Sequence, residues 1–228
     1  MKFLKKDYVL IVPLFFGCAS LAFSQDYPED LGIGQNHEWL ISNFIENTYE
    51  DVEISGNPRI IDSPYGNAVN FDGVEDAIFL DANALEALEE FTIEMIFNPA
   101  TDGNFEQRVV HIGEVSGDRM LLEIRALNGN WYFDGFVASE ESKLALIDEK
   151  LLHPLGLWYH VAFIVEKDRL STYVNGKLEL SEAFSFNGIN TGQSSIGVRL
   201  NKRSWFKGAI YKIKISPSML NPDGFIPF

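Results

Sequence analysis

The sequence predicts an all-β protein built as a two-sheet antiparallel jelly-roll sandwich. Three observations support this prediction. About a dozen short segments are rich in aromatic and β-branched residues, as strands are. Turn signals rich in glycine, asparagine and proline separate these segments at short, regular intervals. Only one stretch looks helical, and it has just two or three turns. The chain shows no repeat or linker, so its 228 residues, 46% of them hydrophobic, predict one domain with one core.

The first third of the chain predicts short strands after a polar, extended lead-in at residues 25–38. Residues 39–44 are predicted to form the first strand, and the acidic residues 45–58 a loop. The turn signals Pro64-Tyr65-Gly66 and Asp72-Gly73 then separate three strands. These strands are residues 59–62, 68–71 and 77–80. Residues 82–90, ANALEALEE, predict a short surface helix.

The middle of the chain predicts a half-buried strand at residues 91–97, where apolar and polar side chains alternate. Further strands are predicted at 108–112, 120–127 and 131–137, the last two joined at Asn128-Gly129. A charged connection is expected at 138–154.

A hairpin signal dominates the last third of the chain. Strands at 158–165 and 170–174 lead to Asn175-Gly176, which favours a type I′ turn because both residues tolerate positive φ. The closing strands are predicted at 194–200 and 206–215, and the slip in period near Tyr211-Lys212 predicts a β-bulge. The tail, residues 216–228, is expected to pack along the outside.

The N-terminus has the features of an export signal. Three lysines precede an apolar run at residues 8–16 that is too short to span a membrane. Ala22-Phe23-Ser24 then fits the small-x-small cleavage rule. We therefore expect a signal peptide at residues 1–24 and an exported protein, periplasmic, extracellular or at the cell surface.

A lipoprotein signal ending in Gly17-Cys18 is the alternative, with Cys18 acylated and the protein anchored to a membrane. Cys18 is the only cysteine. Cleavage before Gln25 would leave a protein without disulfides or thiol chemistry, so its fold would depend on the core alone.

The formal net charge of −15 argues against nucleic acid and anionic membranes as partners. Residues 183–222, however, contain no acidic residue and six basic ones: Arg199, Lys202, Arg203, Lys207, Lys212 and Lys214. Two interpretations stay open. This stretch forms a basic face for a carboxylated or sulfated ligand, or its side chains protect a strand edge or pair with acids from the N-terminal half.

Several runs resemble the laminin-G-like, concanavalin A-type lectin/glucanase superfamily, and in particular its bacterial secreted branch. In chain order they are NFDG at 70–73, FTIE at 91–94, WYHVA at 158–162, YVNGK at 173–177, and FKGAI at 206–210 leading to Lys214-Ile215. The resemblance implies a jelly roll of two antiparallel sheets. It also implies one of several functions: glycan binding, protein binding, glycoside hydrolysis or polysaccharide lysis. One departure is Tyr211-Lys212, where the family often has Asp-Glu.

Hydrolysis is disfavoured because the carboxylate pattern Glu-x-Asp-x-(x)-Glu of the superfamily's glycosidases is absent. A lyase or dehydratase acting on uronate-containing glycans needs a proton-transferring Tyr or His and a group that neutralises the carboxylate. His111, Arg125 and Tyr211 are the candidate catalytic residues for this chemistry. The alternative is that these are polar residues on a solvated sheet face, with no catalytic role. Whether the protein is an enzyme is left open.

Candidate ligand-binding residues are the aromatic residues that could stack on sugars and the cations that could hold an anionic glycan. They are Trp131, Tyr132, Arg199, Trp205 and Lys207. Asp72, Glu75 and Asp76 could bind a structural Ca²⁺ or simply make the Asp72-Gly73 turn. No cofactor is required.

The favoured hypothesis is a secreted carbohydrate-binding domain, residues 39–228, that takes part in polysaccharide capture or breakdown. The predicted partner is a glycan or polysaccharide. An anionic glycan is one form of this prediction. The alternatives are the uronate lyase or dehydratase and a cell-surface protein-interaction module. The sequence predicts no transmembrane segment and leaves the oligomeric state open.

Overall fold

The structure, a computed structural model, describes residues 36–228. The predicted signal peptide, its lipoprotein alternative at Cys18 and most of the lead-in lie outside the described residues. Within 36–228, no helix is long and apolar enough to cross a membrane.

The described chain forms sixteen strands, one α-helix, α1 (Ile41–Glu46), and a 3-10 helix at Pro222–Gly224. The strands in chain order are β1 (His37–Leu40), β2 (Val52–Ser55), β3 (Arg59–Ser63), β4 (Gly66–Asp72), β5 (Ala77–Leu80), β6 (Phe91–Pro99), β7 (Glu106–Gly113), β8 (Arg119–Leu127), β9 (Asn130–Ser139), β10 (Ser142–Ile147), β11 (His153–Pro154), β12 (Tyr159–Val165), β13 (Arg169–Val174), β14 (Lys177–Ala183), β15 (Gln193–Ile196) and β16 (Lys207–Ser216).

Two antiparallel sheets of eight strands each make a sandwich, as predicted. Sheet A runs β14-β13-β12-β6-β16-β4-β3, with β1 also paired to β16. Sheet B runs β10-β9-β8-β7-β15-β5-β2, with β11 also paired to β9. Neighbours in a sheet are often far apart in sequence, so the fold brings together residues from distant parts of the chain.

The core lies between the sheets and follows the two-residue period of the strands. In β6, Phe91, Ile93, Met95 and Phe97 point inward and are fully buried or nearly so. Sheet B contributes apolar residues at alternate positions of β8 and β9 to the same core. Because every second residue enters this core, the side chains between them form the two outer faces of the sandwich.

Both predicted asparagine-glycine turns are confirmed. Asn128 and Gly129 have φ values of 51° and 77°, and Asn175 and Gly176 have 49° and 73°. Positive φ at both central residues is what a type I′ turn requires, and it sets the register of the strands on either side.

The predicted bulge in the closing strand is also confirmed. Against β6, the register shifts between Ile210 and Lys212, so that Tyr211 is the extra residue. Ile210 and Ile213 both stay in the core, because the inserted residue restores the inward alternation.

Several predicted boundaries are wrong. The strand predicted at 39–44 ends at Leu40, and α1 follows it. This helix lets Phe44 reach the core, where its ring meets that of Trp39 at 6.1 Å. The loop predicted at 45–58 contains β2, and the connection predicted at 138–154 contains β10 and β11.

The surface helix predicted at 82–90 is wrong too, since this segment forms turns. Leu85 and Leu88 are buried in the core, and Ala87 has a left-handed φ of 61°. Asn83 donates from Nδ2 to the carbonyls of Ile189 (2.8 Å) and Thr191 (3.1 Å). These tertiary contacts override a helix propensity that is weak over nine residues.

The tail packs on the outer face of sheet A, as expected. Phe225 contacts Ala162 and Ile164 there. The Ile226 amide donates to Glu94 Oε1 at 2.6 Å. The tail therefore encloses side chains that would otherwise face solvent.

Candidate functional site

The outer face of sheet B carries a group of charged side chains from three neighbouring strands. We call it the arginine–carboxylate cluster. Its members are Glu106 and Arg108 on β7, Glu123 and Arg125 on β8, and Asp134 on β9. In β8, Leu122 and Ile124 enter the core, so the residues between and beside them point outward.

Strand register brings the cluster together. The Asn128-Gly129 turn pairs Glu123 with Asp134 across β8 and β9. A bulge in β7, between Arg108 and Val110, then places Arg108 opposite Glu123. Arg108 therefore faces a carboxylate on β8, whereas Glu123 and Asp134 place two carboxylates side by side.

The ion pairs in this cluster are close. Arg108 Nε lies 2.7 Å from Glu123 Oε1, and Arg108 also pairs with Glu106. Arg125 Nη1 lies 2.7 Å from Glu106 Oε2, while its Nη2 lies 3.1 Å from Glu123 Oε2 and 2.5 Å from Asp134 Oδ2. Each guanidinium thus spans two or three carboxylates, a geometry that fixes its orientation.

The two central carboxylates are almost enclosed, although they lie on an outer face. Glu123 is 2% exposed and Asp134 is 3% exposed. Burial and the charge of Asp134 raise the pKa of Glu123 to about 7, against the opposing effect of Arg108 and Arg125. Glu123 therefore holds a proton over part of the neutral range.

His111 lies next to this cluster on β7 and is fully buried. Its Nε2 is 2.9 Å from the carbonyl oxygen of Glu114, and its Nδ1 accepts from the Leu200 amide at 3.3 Å. Burial lowers its pKa to about 4, and the charges of three arginines act in the same direction. The imidazole is therefore neutral, and both nitrogens are engaged, so it is poorly suited to move a proton.

Two further arginines, Arg119 and Arg199, extend the positive charge of this surface. Together with Arg108 and Arg125 they form what we call the arginine face. Arg119 Nη1 donates to the Gly117 carbonyl at 2.6 Å, and Arg199 Nη2 donates to the Val115 carbonyl at 2.7 Å. Within residues 36–228, neither side chain forms an ion pair.

The charges of Arg119 and Arg199 repel each other, and this affects the pKa of Arg119. Burial lowers it first, and repulsion from Arg199 lowers it further. The attraction of Glu123 and of Asp118, which raises it, is individually weaker than that repulsion. Arg119 and Arg199 are thus two neighbouring like charges that form no ion pair in the described chain.

A groove of about 580 Å³ runs beside the arginine face. Phe79, Val115 and Leu200 contribute to its walls, and Val115 is the residue whose carbonyl binds Arg199. Ser195 on β15 pairs with both Phe79 and His111, so the groove and the arginine face share the outer surface of sheet B. One basic residue, Lys202, and five acidic residues also line it: Glu50, Asp51, Glu53, Asp81 and Glu114.

The three candidate catalytic residues are not brought together. His111 and Arg125 lie on sheet B, whereas Tyr211 lies on β16 of sheet A. The Tyr211 ring contacts that of Tyr65 at 5.8 Å. The three residues have no contact partner in common.

The candidate ligand-binding residues are also dispersed. Trp131 is fully buried in the core, 5.2 Å from the ring of Phe97 and 5.1 Å from that of Tyr159. Tyr132 lies opposite Arg125 on the arginine face. Lys207 pairs with Asp102, and Trp205 is half-buried in the loop before β16.

The basic stretch at 183–222 is largely neutralised by acids of the N-terminal half, as one of the two interpretations proposed. Four of its lysines form such pairs, which are Lys202–Glu53 (3.9 Å), Lys207–Asp102 (2.6 Å), Lys212–Glu38 (2.6 Å) and Lys214–Glu94 (3.8 Å). Arg199 differs from these lysines, since it joins the arginine face.

The carboxylates considered for Ca²⁺ stabilise a turn. Asp72 Oδ1 accepts from the amides of Val74 (2.8 Å), Glu75 (2.9 Å) and Asp76 (3.1 Å). Burial opposes ionisation of Asp72, but these backbone hydrogen bonds prevail and lower its pKa. In the part of the chain that the structure describes, no three His, Cys, Asp or Glu residues are grouped to hold a metal ion. Calcium binding stays a prediction.

Sequence reasoning missed Arg108, Arg119 and Asp134. Asp134 could have been found, because residues equidistant from a two-residue hairpin turn face each other, and Glu123 and Asp134 are each five residues from Asn128-Gly129. Arg108 could not, because a bulge sets its register.

Comparison with known proteins identifies the fold. The Laminin_G_3 family model, described as concanavalin A-like lectin/glucanases superfamily, matches residues 72–224. No curated protein matches the chain.

Two solved structures illustrate the similarity. Domain 4 of AbnA, a GH43 extracellular arabinanase from Geobacillus stearothermophilus, in complex with arabinotriose, is 21% identical with a TM-score of 0.61, over 75% of this chain and 84% of that one. The botulinum neurotoxin type G receptor binding domain is 10% identical with a TM-score of 0.56, over 75% of this chain. The match spans only 44% of the toxin domain. At these identities the likeness concerns the fold.

Proposed function

Because this chain belongs to the concanavalin A-like lectin/glucanase superfamily, we propose that it is an exported carbohydrate-binding domain, residues 39–228, whose arginine face holds an acidic sugar. The superfamily scaffold supports several activities, so the proposal rests on the residues of this face. The AbnA domain with bound arabinotriose supports glycan binding on this fold in general terms.

The observation that carries the proposal is the pair Arg119 and Arg199, which donate to the carbonyls of Gly117 and Val115 in one loop and form no ion pair in the described chain. Two adjacent cations repel each other, and an anion placed between them removes that repulsion. A guanidinium matches the planar geometry of a carboxylate or sulfate and makes bidentate hydrogen bonds to it. A uronate carboxylate or a sugar sulfate therefore fits this site.

The arginine–carboxylate cluster serves as a rigid wall of the site. Its guanidinium groups are already paired with carboxylates, so Arg108 and Arg125 contribute orientation more than net charge. Tyr132, opposite Arg125, packs beside the same cluster and is only 6% exposed.

The groove beside the arginine face limits the class of glycan. Its acidic walls repel a continuous polyanion, while carboxylate oxygens accept hydrogen bonds from sugar hydroxyls. We therefore expect a glycan with one acidic sugar at the arginines and neutral sugars along the groove.

Binding experiments test this proposal. Calorimetry of the exported form with oligosaccharides that carry one uronate or sulfate should show binding that is lost when the acidic group is reduced or removed. Arg119→Gln and Arg199→Gln should each weaken binding about tenfold or more, since a hydrogen bond to a charged group is worth roughly 1.5–3 kcal/mol. Arg169→Gln is the matched control, an exposed arginine on β13 that bonds Ser181. Equal affinity of acidic and neutral glycans would refute the proposal.

The geometry favours binding over the lyase alternative. His111 has both nitrogens engaged, and Tyr211 lies on the other sheet. Following the absorbance of a new C=C bond during the same binding experiments would detect a lyase directly.

A further inference from the structure

A second group of aromatic rings lies on the outer face of sheet A, on the opposite side of the sandwich from the arginine face. We call it the aromatic platform, and its members are Tyr65, Trp158, Tyr211 and Phe228. Tyr65 is the centre. Its ring lies 5.8 Å from that of Trp158, 5.8 Å from that of Tyr211 and 5.5 Å from that of Phe228.

The fold assembles the platform from four separate places. Tyr65 belongs to the tight turn between β3 and β4, Trp158 immediately precedes β12, and Phe228 belongs to the tail. Tyr211 is the extra residue of the β16 bulge, and the bulge turns its ring outward. Gly66, next to Tyr65, has a φ of 127°, which favours glycine in this turn.

These rings differ from the core aromatics in two ways. Tyr65, Trp158 and Tyr211 are only half-buried, and Phe228 is 48% exposed. The polar tips of the first three, two phenol hydroxyls and one indole N–H, have no hydrogen-bond partner among residues 36–228. Aromatic residues with an apolar face and an unused polar tip are suited to bind a ligand that offers both kinds of contact.

The charge around the platform is balanced. Lys212 Nζ lies 5.7 Å from the centre of the Tyr211 ring, but it is already paired with Glu38 at 2.6 Å. The cation beside the Tyr211 ring is thus already neutralised. This contrasts with Arg119 and Arg199 on the other face.

The platform already stacks one flat group. Phe228 lies nearly parallel to Tyr65, with 22° between the ring planes, whereas Trp158 meets Tyr65 edge-on at 73°. Phe228 therefore covers one face of the Tyr65 ring, and a ligand can reach the exposed parts of the half-buried Trp158 and Tyr211 rings.

We propose that the aromatic platform is a second carbohydrate site, which stacks the apolar C–H face of a neutral sugar ring. The free hydroxyls of Tyr65 and Tyr211 and the indole N–H of Trp158 are placed to bond the hydroxyls at the edge of that sugar. This site is independent of the arginine face and goes beyond the function proposed for it.

The two sites on opposite faces have a consequence for larger ligands. One short oligosaccharide cannot reach both, so the sites do not reinforce each other on a single small glycan. The two sites instead allow one protein molecule to bridge two polysaccharide chains, one acidic and one neutral.

The test uses the exported form and a panel of neutral hexasaccharides, namely arabino-, xylo-, gluco- and galacto-oligosaccharides. Binding is followed by calorimetry and by tryptophan fluorescence. At least one neutral glycan should bind. Trp158→Ala and Tyr211→Ala should each weaken that binding about tenfold, the equivalent of about 1.4 kcal/mol, because each removes an aromatic contact. Trp158→Phe should recover part of the affinity because it keeps an aromatic ring.

Matched controls separate this site from a general effect on folding. Leu157→Ala removes an exposed apolar neighbour of Trp158 (54% exposed) and should leave affinity unchanged. Arg119→Gln and Arg199→Gln should also leave neutral-glycan binding unchanged, so failure of one site is distinguishable from failure of the other. The proposal is overturned if no neutral glycan binds at millimolar concentration, or if the platform variants bind like wild type. It is equally overturned if they change only self-association in ultracentrifugation.

Discussion

Glu123 and Asp134 face each other across β8 and β9, and one nitrogen of Arg125, Nη2, lies within 3.1 Å of the first and 2.5 Å of the second. Two carboxylates held this closely in a nearly dry environment cannot both ionise at low cost. Asp134 Oδ1 is buried and has no hydrogen-bond partner in the described chain. A proton on Glu123 relieves this arrangement, which agrees with its raised pKa.

The first prediction concerns pH. The pKa of Glu123 rises on folding from its ordinary 4.5 to about 7, so the folded protein binds more protons than the unfolded chain between these values. Its contribution to the free energy of unfolding therefore falls as pH rises from about 4.5 to about 7. Glu123→Gln removes that loss. The stability of the variant relative to wild type, measured by urea unfolding, should increase steadily across this window. A constant difference would show that Glu123 does not titrate there.

His111 should show the opposite trend. Folding lowers its pKa from 6.5 to about 4, so the unfolded chain binds more protons in this window and stability rises with pH. His111→Asn should therefore lose stability relative to wild type as pH rises from about 4 to 6.5. Comparison with Glu123→Gln in the same buffers provides the internal control, because the two curves should have slopes of opposite sign.

A third prediction concerns the buried pair beneath the tail. Glu94 is fully buried, and its Oε1 is 3.0 Å from His160 Nε2 and also accepts the Ile226 amide. Glu94→Ala should lower the free energy of unfolding by about 3–5 kcal/mol, because it strands a buried imidazole and a backbone donor. Chemical denaturation measures this loss. Glu38→Ala is the control, since that glutamate pairs with Lys212 at the surface and should cost less than about 1 kcal/mol.

A fourth prediction separates two phenylalanines of the tail. Phe225 is 9% exposed and packs on Ala162 and Ile164, whereas Phe228 is 48% exposed. Phe225→Ala should destabilise the protein by about 2–4 kcal/mol through lost burial. Phe228→Ala should change stability by about 0.5 kcal/mol or less. Similar losses for both variants would contradict the packing of the tail on sheet A.

The last prediction tests a candidate ligand residue. Trp131 is fully buried between Phe97 and Tyr159, so Trp131→Ala should cost about 3–5 kcal/mol of stability. Glycan affinity, measured on the folded fraction, should stay unchanged. A large loss of affinity in a fully folded variant would instead give Trp131 a direct role in binding.

Local patterns predicted those parts of this fold that depend on neighbours in sequence. The type I′ turns at Asn128-Gly129 and Asn175-Gly176 and the bulge at Tyr211 were all visible in the chain, because φ preferences and strand periodicity are local. Residues 82–90 show the limit. Their helix propensity is real but small. The hydrogen bonds of Asn83 to the distant loop at Ile189 and Thr191 favour turns over a helix.

The sequence by itself determined most of the strands, the two asparagine-glycine turns and the resemblance to a jelly-roll superfamily, because each depends on residue type at short spacing. It did not determine β2, β10 and β11. Only the tertiary structure decided the two surfaces that we propose to be sites. Arg119 begins β8, and Arg199 follows β15. The two arginines come within electrostatic reach because β8 and β15 both pair with β7, one on each side. Tyr65, Trp158 and Tyr211 meet because distant segments share one outer face. Such contacts follow from the order of strands in a sheet, which side-chain periodicity does not encode.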